Sequence, residues 1–223
     1  MTTVMNKTEK NEPRKRIQHP IPPLYSADSR ILILGSFPSV KSRETAFFYG
    51  HPQNRFWKLL SLLLEAPFPE TIAERRKFLL AHGIAVWDVI ASCEIYGSSD
   101  ASIRNAVPND LRQILDGARI RQVYVNGGTA GKLYRKYQEK PLREIYGDCA
   151  EAVILPSTSP ANAAWNMERL QEAWRVILDP LGDADARTAL DLRKKTPVKW
   201  EQRYGKEDPV KWEQRYGKED PVK

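Results

Sequence analysis

Cysteine and histidine are scarce in this chain of 223 residues: the cysteines are Cys93 and Cys149, and the histidines are His19, His51 and His82. Neither cysteine falls in a CxxC or other clustered spacing, which excludes a disulfide scaffold and a four-cysteine cluster supplied by one chain. Three scattered histidines argue against a histidine-rich metal site, so the expectation is chemistry with no metal and no cofactor. The nucleotide-binding patterns GxxxxGK[ST] and GxGxxG are missing as well. No apolar run approaches the roughly 20 residues a membrane span needs. The first residues, MTTVMNKTEKNEPRKR, have no apolar stretch behind their charges and so lack the form of a signal peptide, and a cytoplasmic location without membrane partners is expected.

What is present is positive charge. Lys and Arg number 35 against 28 Asp and Glu, a formal net charge of +7, which favours an anionic partner. Nucleic acid comes before membrane, because no basic amphipathic helix stands out. Residues 1–16 are polar and aperiodic and read as a disordered basic tail; residues 17–180 read as one domain, with a monomer as the default. Beyond residue 180 the pattern dissolves into a polar tail where PVKWEQRYGKED runs from Pro197 to Asp208 and repeats from Pro209 to Asp220. Two copies of so short a unit are too few to bury a core, so an unstructured duplicated tail is expected.

Within the domain, short apolar runs alternate with helical periodicity. Ile31 to Leu34, Ile84 to Ile90, Val123 to Val125 and Ala152 to Leu155 read as four strands. His19 to Tyr25 carries three prolines and reads as an extended surface segment. Leu59, Leu60, Leu63 and Leu64 form one face of a helix that begins near Phe56, with Pro52 in its first turn. A second helix runs from Thr71 to His82, and Thr129 is placed to cap another that reaches about Lys140. A last helix puts Ala163, Met167, Leu170, Trp174 and Ile177 on one face. The polar stretch from Ser92 to Asp110 reads as a long loop of the kind that carries function. Strands alternating with helices imply an α/β fold with a short, mainly parallel sheet covered on both sides.

Ligands of such sheets bind at the carboxyl ends of the strands. Here those ends are Gly35 to Ser39, the residues from Ala91 onward, Asn126 to Gly128, and Pro156 to Pro160. Two of these loops pair Pro with Ser among small residues and could bring backbone N–H groups close to a phosphate.

Taken together, LGSFPS, FYGHPQNRFW, WDVIASCEIYGSSDASIRNAVPNDL and LPSTSPANAAW resemble, in order from about Ile17 to Leu178, the DNA-deoxyinosine (hypoxanthine-DNA) glycosylase branch of the uracil-DNA glycosylase superfamily. The resemblance implies a three-layer α/β/α sandwich with a central four-stranded sheet. It also implies monofunctional, metal-free hydrolysis of the bond between a deaminated base and deoxyribose, acting on DNA that contains such a base. Hypoxanthine is the first choice of base. A uracil or G:T/G:U mismatch glycosylase is the rival within the class, and a non-catalytic DNA-binding module with the same fold is the rival outside it.

GSFPS is similar to the first superfamily motif, LPSTSP to the second, and HPQNRFW to a stretch of the mismatch-specific enzymes. Those relatives carry a water-positioning Asn immediately before the motif-one proline, where this chain has Phe37. The resemblance therefore moves the water to Asn54, with Ser36, Phe37, Tyr49, Gly50, His51 and Asp88 around the base and Tyr49 supplying the ring. Ser39, Lys41, Arg43, Arg55, Ser157, Thr158 and Ser159 are the expected DNA contacts. Each residue also has a plainer role open to it: Asn54 can cap the helix, Tyr49 can be core, Ser36 a turn donor, His51 a loop fastener, Asp88 half of an ion pair, and the serines of PSTSP a tight turn.

Overall fold

The computed structural model describes residues 15–97 and 99–182. The expected tail lies outside these residues except for Lys15 and Arg16, which belong to a strand, and the tandem repeat lies outside them entirely.

The strands are β1 (Lys15–Gln18), β2 (Ile31–Gly35), β3 (Ile84–Asp88), β4 (Ile90–Ile95), β5 (Arg104–Pro108), β6 (Gln122–Asn126) and β7 (Val153–Leu155). Four of them form a wholly parallel sheet in the order β3-β2-β6-β7, with Ile31 opposite Ile84 on one side and Gln122 on the other. Every residue of β2 and β3 is buried, which requires cover on both faces of the sheet and explains their unbroken apolar sequences. The helices supplying the cover include α2 (Phe56–Leu63), α3 (Ile72–Ala81), α5 (Gly128–Tyr134) and α7 (Met167–Trp174), with α3 on β3, α5 on β6 and β7, and α2 against α7. This is the expected α/β sandwich. Short α1 (Val40–Glu44), α4 (Arg112–Gly117), α6 (Lys140–Tyr146) and α8 (Leu178–Leu181) complete the helices.

Several local expectations are corrected. The stretch from Ser92 to Asp110 is not simply loop: β4 pairs antiparallel with both β1 and β5 in a second sheet. Mostly exposed residues along β5 and register shifts in its pairing with β4 blur the alternation that would mark a strand. His19 to Tyr25 is not confined to the surface, since Ile21 and Leu24 are buried and Leu24 exchanges two backbone hydrogen bonds with Val86. Pro52 precedes α2 by a full turn of chain and lies outside it. Gly127, not Thr129, is the residue that opens α5; its φ of 103° is open to glycine and strained for other residues. After Tyr134 the chain continues through a π-helical turn, Arg135–Glu139, into α6, and so runs past Lys140. Ala163 is exposed and lies ahead of α7, while Leu170, Trp174 and Ile177 are fully buried.

Candidate active site

The carboxyl end of β2 turns sharply through Gly35 and Ser36, and the reason for glycine is steric. A Cβ at Gly35 would stand 2.1 Å from Oδ1 of Asp88, the last residue of β3. Asp88 accepts from His19 Nε2 at 2.8 Å, and both side chains are almost wholly buried, at 9% and 3% exposed. His19 Nδ1 accepts the Ile21 N–H, so the proton belongs on Nε2 and the imidazole donates to the carboxylate. Asp88 therefore has a hydrogen-bonded partner, a neutral imidazole, where an ion pair was the plainer role considered. His19 also meets Phe37 edge-on, with ring centroids 5.8 Å apart.

Phe37 is buried, and Arg43 lies over its ring at 5.9 Å. Arg43 also donates to the Pro38 carbonyl at 2.6 Å, and burial lowers the pKa of its guanidinium. It therefore fastens the motif-one loop. Ser39 caps α1 by accepting the Ser42 N–H, and exposed Lys41 pairs with Glu44 at 2.8 Å. Gly50 donates its N–H to Ser42 Oγ at 3.1 Å, and a Cβ there would meet the Thr45 hydroxyl at 2.6 Å.

Tyr49 comes back over the strand ends. Its ring stacks on Phe56 with centroids 3.8 Å apart, and its backbone adopts a left-handed φ of 52°. The hydroxyl is buried without a hydrogen-bond partner of good geometry, although Asn126 stands near it. Burial, with Asp88 beside it, pushes the phenol well above its ordinary range. An orphaned buried hydroxyl costs about 1–3 kcal/mol. Tyr49→Phe is accordingly expected to raise unfolding stability by about 1 kcal/mol in a denaturant titration; a loss of stability would mean that the hydroxyl is satisfied.

Between Tyr49 and Phe56 lies the turn that holds His51 and Asn54. Asn54 donates its N–H to the His51 carbonyl at 2.8 Å, and its Oδ1 accepts the Phe56 N–H at 3.0 Å, which ties the turn to the first residue of α2; the N-cap position itself is Arg55. His51 Nδ1 accepts the Gln53 N–H at 3.2 Å, the loop-fastening role. The next residue joins this turn to the PSTSP loop. The Arg55 N–H donates to the Thr158 carbonyl at 3.1 Å, and its guanidinium donates to the carbonyls of Ser159 at 2.6 Å, Asn162 at 3.1 Å, Thr158 at 3.3 Å and Trp165.

Two expected DNA contacts are corrected here. Arg55 is an organiser of the PSTSP loop, because its donors are taken by carbonyls of that loop. Thr158 is fully buried and cannot reach a phosphate: its N–H and hydroxyl both bond the Asn126 side chain, at 3.0 and 2.9 Å. Ser157 and Ser159 each accept a nearby backbone N–H, from Ser159 and Ala161, in the tight-turn manner. His19 and Asp100, the latter bonded to Ser36 at 2.5 Å, are the residues that sequence reasoning missed, and Asn126, named only as part of a strand end, was given no role of its own.

The sequence profile of the uracil DNA glycosylase superfamily matches residues 22–178. The chain belongs to this superfamily. Two archaeal relatives carry the name hypoxanthine DNA glycosylase. That of Methanosarcina acetivorans is 30% identical over 163 residues, covering 72% of this chain and 98% of the relative. That of Methanosarcina barkeri is 31% identical over 143 residues, covering 63% and 85%. A G/U mismatch-specific uracil DNA glycosylase of Schizosaccharomyces pombe is 26% identical over 194 residues, and there the match spans 56% of the relative. The superfamily fold is also seen in a solution NMR structure of a candidate uracil DNA glycosylase from Methanosarcina acetivorans, with a TM-score of 0.60, 30% identity and coverage of 72% of this chain and 96% of that one.

Proposed function

We propose that this chain is a DNA glycosylase that extrudes a deaminated base, hypoxanthine before uracil or xanthine, and hydrolyses its N-glycosidic bond to leave an abasic site. The observation that carries the reading is the joining of both motif loops around one turn. Arg55, the neighbour of Asn54, binds the PSTSP loop through its backbone N–H and its guanidinium, while Tyr49, from the same segment, closes over Gly35 at the end of β2. The names of the two archaeal relatives support hypoxanthine as the base.

The chemistry asks little of a nucleophile. As the base departs, the sugar becomes oxocarbenium-like, and a neutral amide suffices to hold water against it. Bonding the Phe56 N–H and holding water are compatible in Asn54, because a carbonyl oxygen has two lone pairs and the amide nitrogen two protons, of which the Phe56 N–H uses one lone pair. The hydrogen bond from the Phe56 N–H fixes the amide for its second task. Rotating the base out of the duplex costs a few kcal/mol, offset by stacking and by hydrogen bonds to the edges of the base in the pocket.

Base release from duplexes containing deoxyinosine, deoxyuridine or deoxyxanthosine, with an undamaged duplex as control, tests the proposal. Hypoxanthine is expected to leave fastest. Faster release of uracil would move the chain to the mismatch-specific class, and no release from any duplex would leave it a binding module.

A further inference from the structure

The loop between β4 and β5 brings a second carboxyl group to the site. Asp100 opens a short 3-10 turn, Asp100–Ser102, and its Oδ2 accepts the Ser36 hydroxyl at 2.5 Å across 64 residues of chain. Ser36 is itself buried at the turn that follows β2, next to Gly35, over which Asp88 lies. Asp100 thus reaches the same strand ends as Asp88. Each carboxyl group has its own donor: the His19 imidazole N–H for Asp88 and the Ser36 hydroxyl for Asp100.

The groups that face Asp100 come from four elements. Asp88 lies at the end of β3, Tyr49 in the turn after α1, Cys93 on β4, and Ser36 after β2. Arg43 approaches the same loop from α1, weakly, through the Gly97 carbonyl at 3.5 Å. Burial is the largest influence on Asp100 and favours the neutral acid; the Ser36 hydrogen bond opposes it, and Asp88 adds to it. A buried carboxyl group at the strand ends, hydrogen-bonded to the turn that follows β2 and favoured in its neutral form, can act as a proton donor there.

We propose that Asp100 is the general acid of this site, delivering a proton to N7 of the departing purine. The inference rests on the reading of the chain as a hypoxanthine glycosylase. As the N9–C1′ bond breaks, its electron pair goes to N9 and the Asp100 proton to N7, so that hypoxanthine leaves neutral. The water held by Asn54 then bonds to C1′ and gives up its surplus proton to solvent, from which Asp100 is reprotonated.

Single-turnover pH profiles of base release test the assignment. The parent rate is expected to fall as pH rises through the titration of Asp100, because the acid form is the active one. Asp100→Asn should lower hypoxanthine release about 10²-fold and abolish that alkaline limb. Ser36→Ala should move the limb to higher pH, since the hydroxyl that favours the ionised form is gone. A duplex with 7-deazahypoxanthine has carbon in place of N7, so parent and Asp100→Asn should release that base at the same slow rate. A parental rate and profile for Asp100→Asn would overturn the proposal, as would an equal loss on the 7-deaza duplex. Should Asp100→Asn fail to fold, the Ser36→Ala profile decides: an unmoved limb overturns it. A parent that releases no hypoxanthine overturns the underlying reading and this one with it, whereas one that releases it with no alkaline limb overturns the role of Asp100 alone.

Discussion

Asn54→Ala is expected to release hypoxanthine about 10²–10³-fold more slowly in single turnover while still binding the damaged duplex, the range seen when one neutral donor to a developing charge is removed. Asn54 stands just before α2, its backbone N–H bonded to the His51 carbonyl and its side-chain oxygen to the Phe56 N–H. Truncation takes away the side-chain hydrogen bond to the Phe56 N–H as well, at a cost of about 1 kcal/mol. Loss of stability on that scale leaves a well-folded domain and does not account for a hundredfold fall in rate. Asn54→Asp separates the two roles, for it keeps an oxygen for the Phe56 N–H but lacks the amide protons. Its thermal unfolding should stay near that of the parent. Undiminished base release by Asn54→Ala would remove Asn54 from the chemistry, and the bond to Phe56 would be its whole function.

The parts of this molecule that were legible in the sequence are those whose physics is local. ILIL reads as a doubly covered strand because a continuous apolar run of that length has little else to become, and β2 is buried at all five positions. The strand-end loops follow from Gly, Ser and Pro after each run. What was illegible depends on partners far away in the chain. His19 sits among prolines, and nothing near it announces a carboxylate 69 residues on. Asp100 hides in a polar stretch whose β-pairing is irregular, and its bond to Ser36 exists because β4 and β5 fold that stretch back over the strand ends. Thr158 looks like a phosphate donor until the fold turns it inward onto Asn126. The assignment of Asn54 came from resemblance alone, since an Asn before a helix reads first as a cap.

Arg55 makes the same point energetically, and its removal should have the larger structural effect. Arg55→Ala is expected to lower unfolding stability by about 3 kcal/mol, and to weaken binding of the damaged duplex as well as slow base release. Hydrogen bonds to charged groups are each worth about 1.5–3 kcal/mol, but those made here are not additive, because the loop relaxes when they are lost together. The carbonyls of Thr158, Ser159, Asn162 and Trp165 all point at one guanidinium, so the conformation of PSTSP and of the chain leading to α7 depends on it. Lysine is no substitute: its compact ammonium has three donors and no planar fork with which to span these acceptors. Arg55→Lys should therefore recover only part of the stability, measurable by denaturant unfolding. A phosphate contact predicts otherwise. Were Arg55 chiefly a DNA ligand, lysine would restore binding, the slope of affinity against salt would fall by about one counterion in Arg55→Ala, and unfolding would be unchanged. Lost stability, with a salt slope like the parent's, is the result expected of a residue whose charge is spent inside the protein.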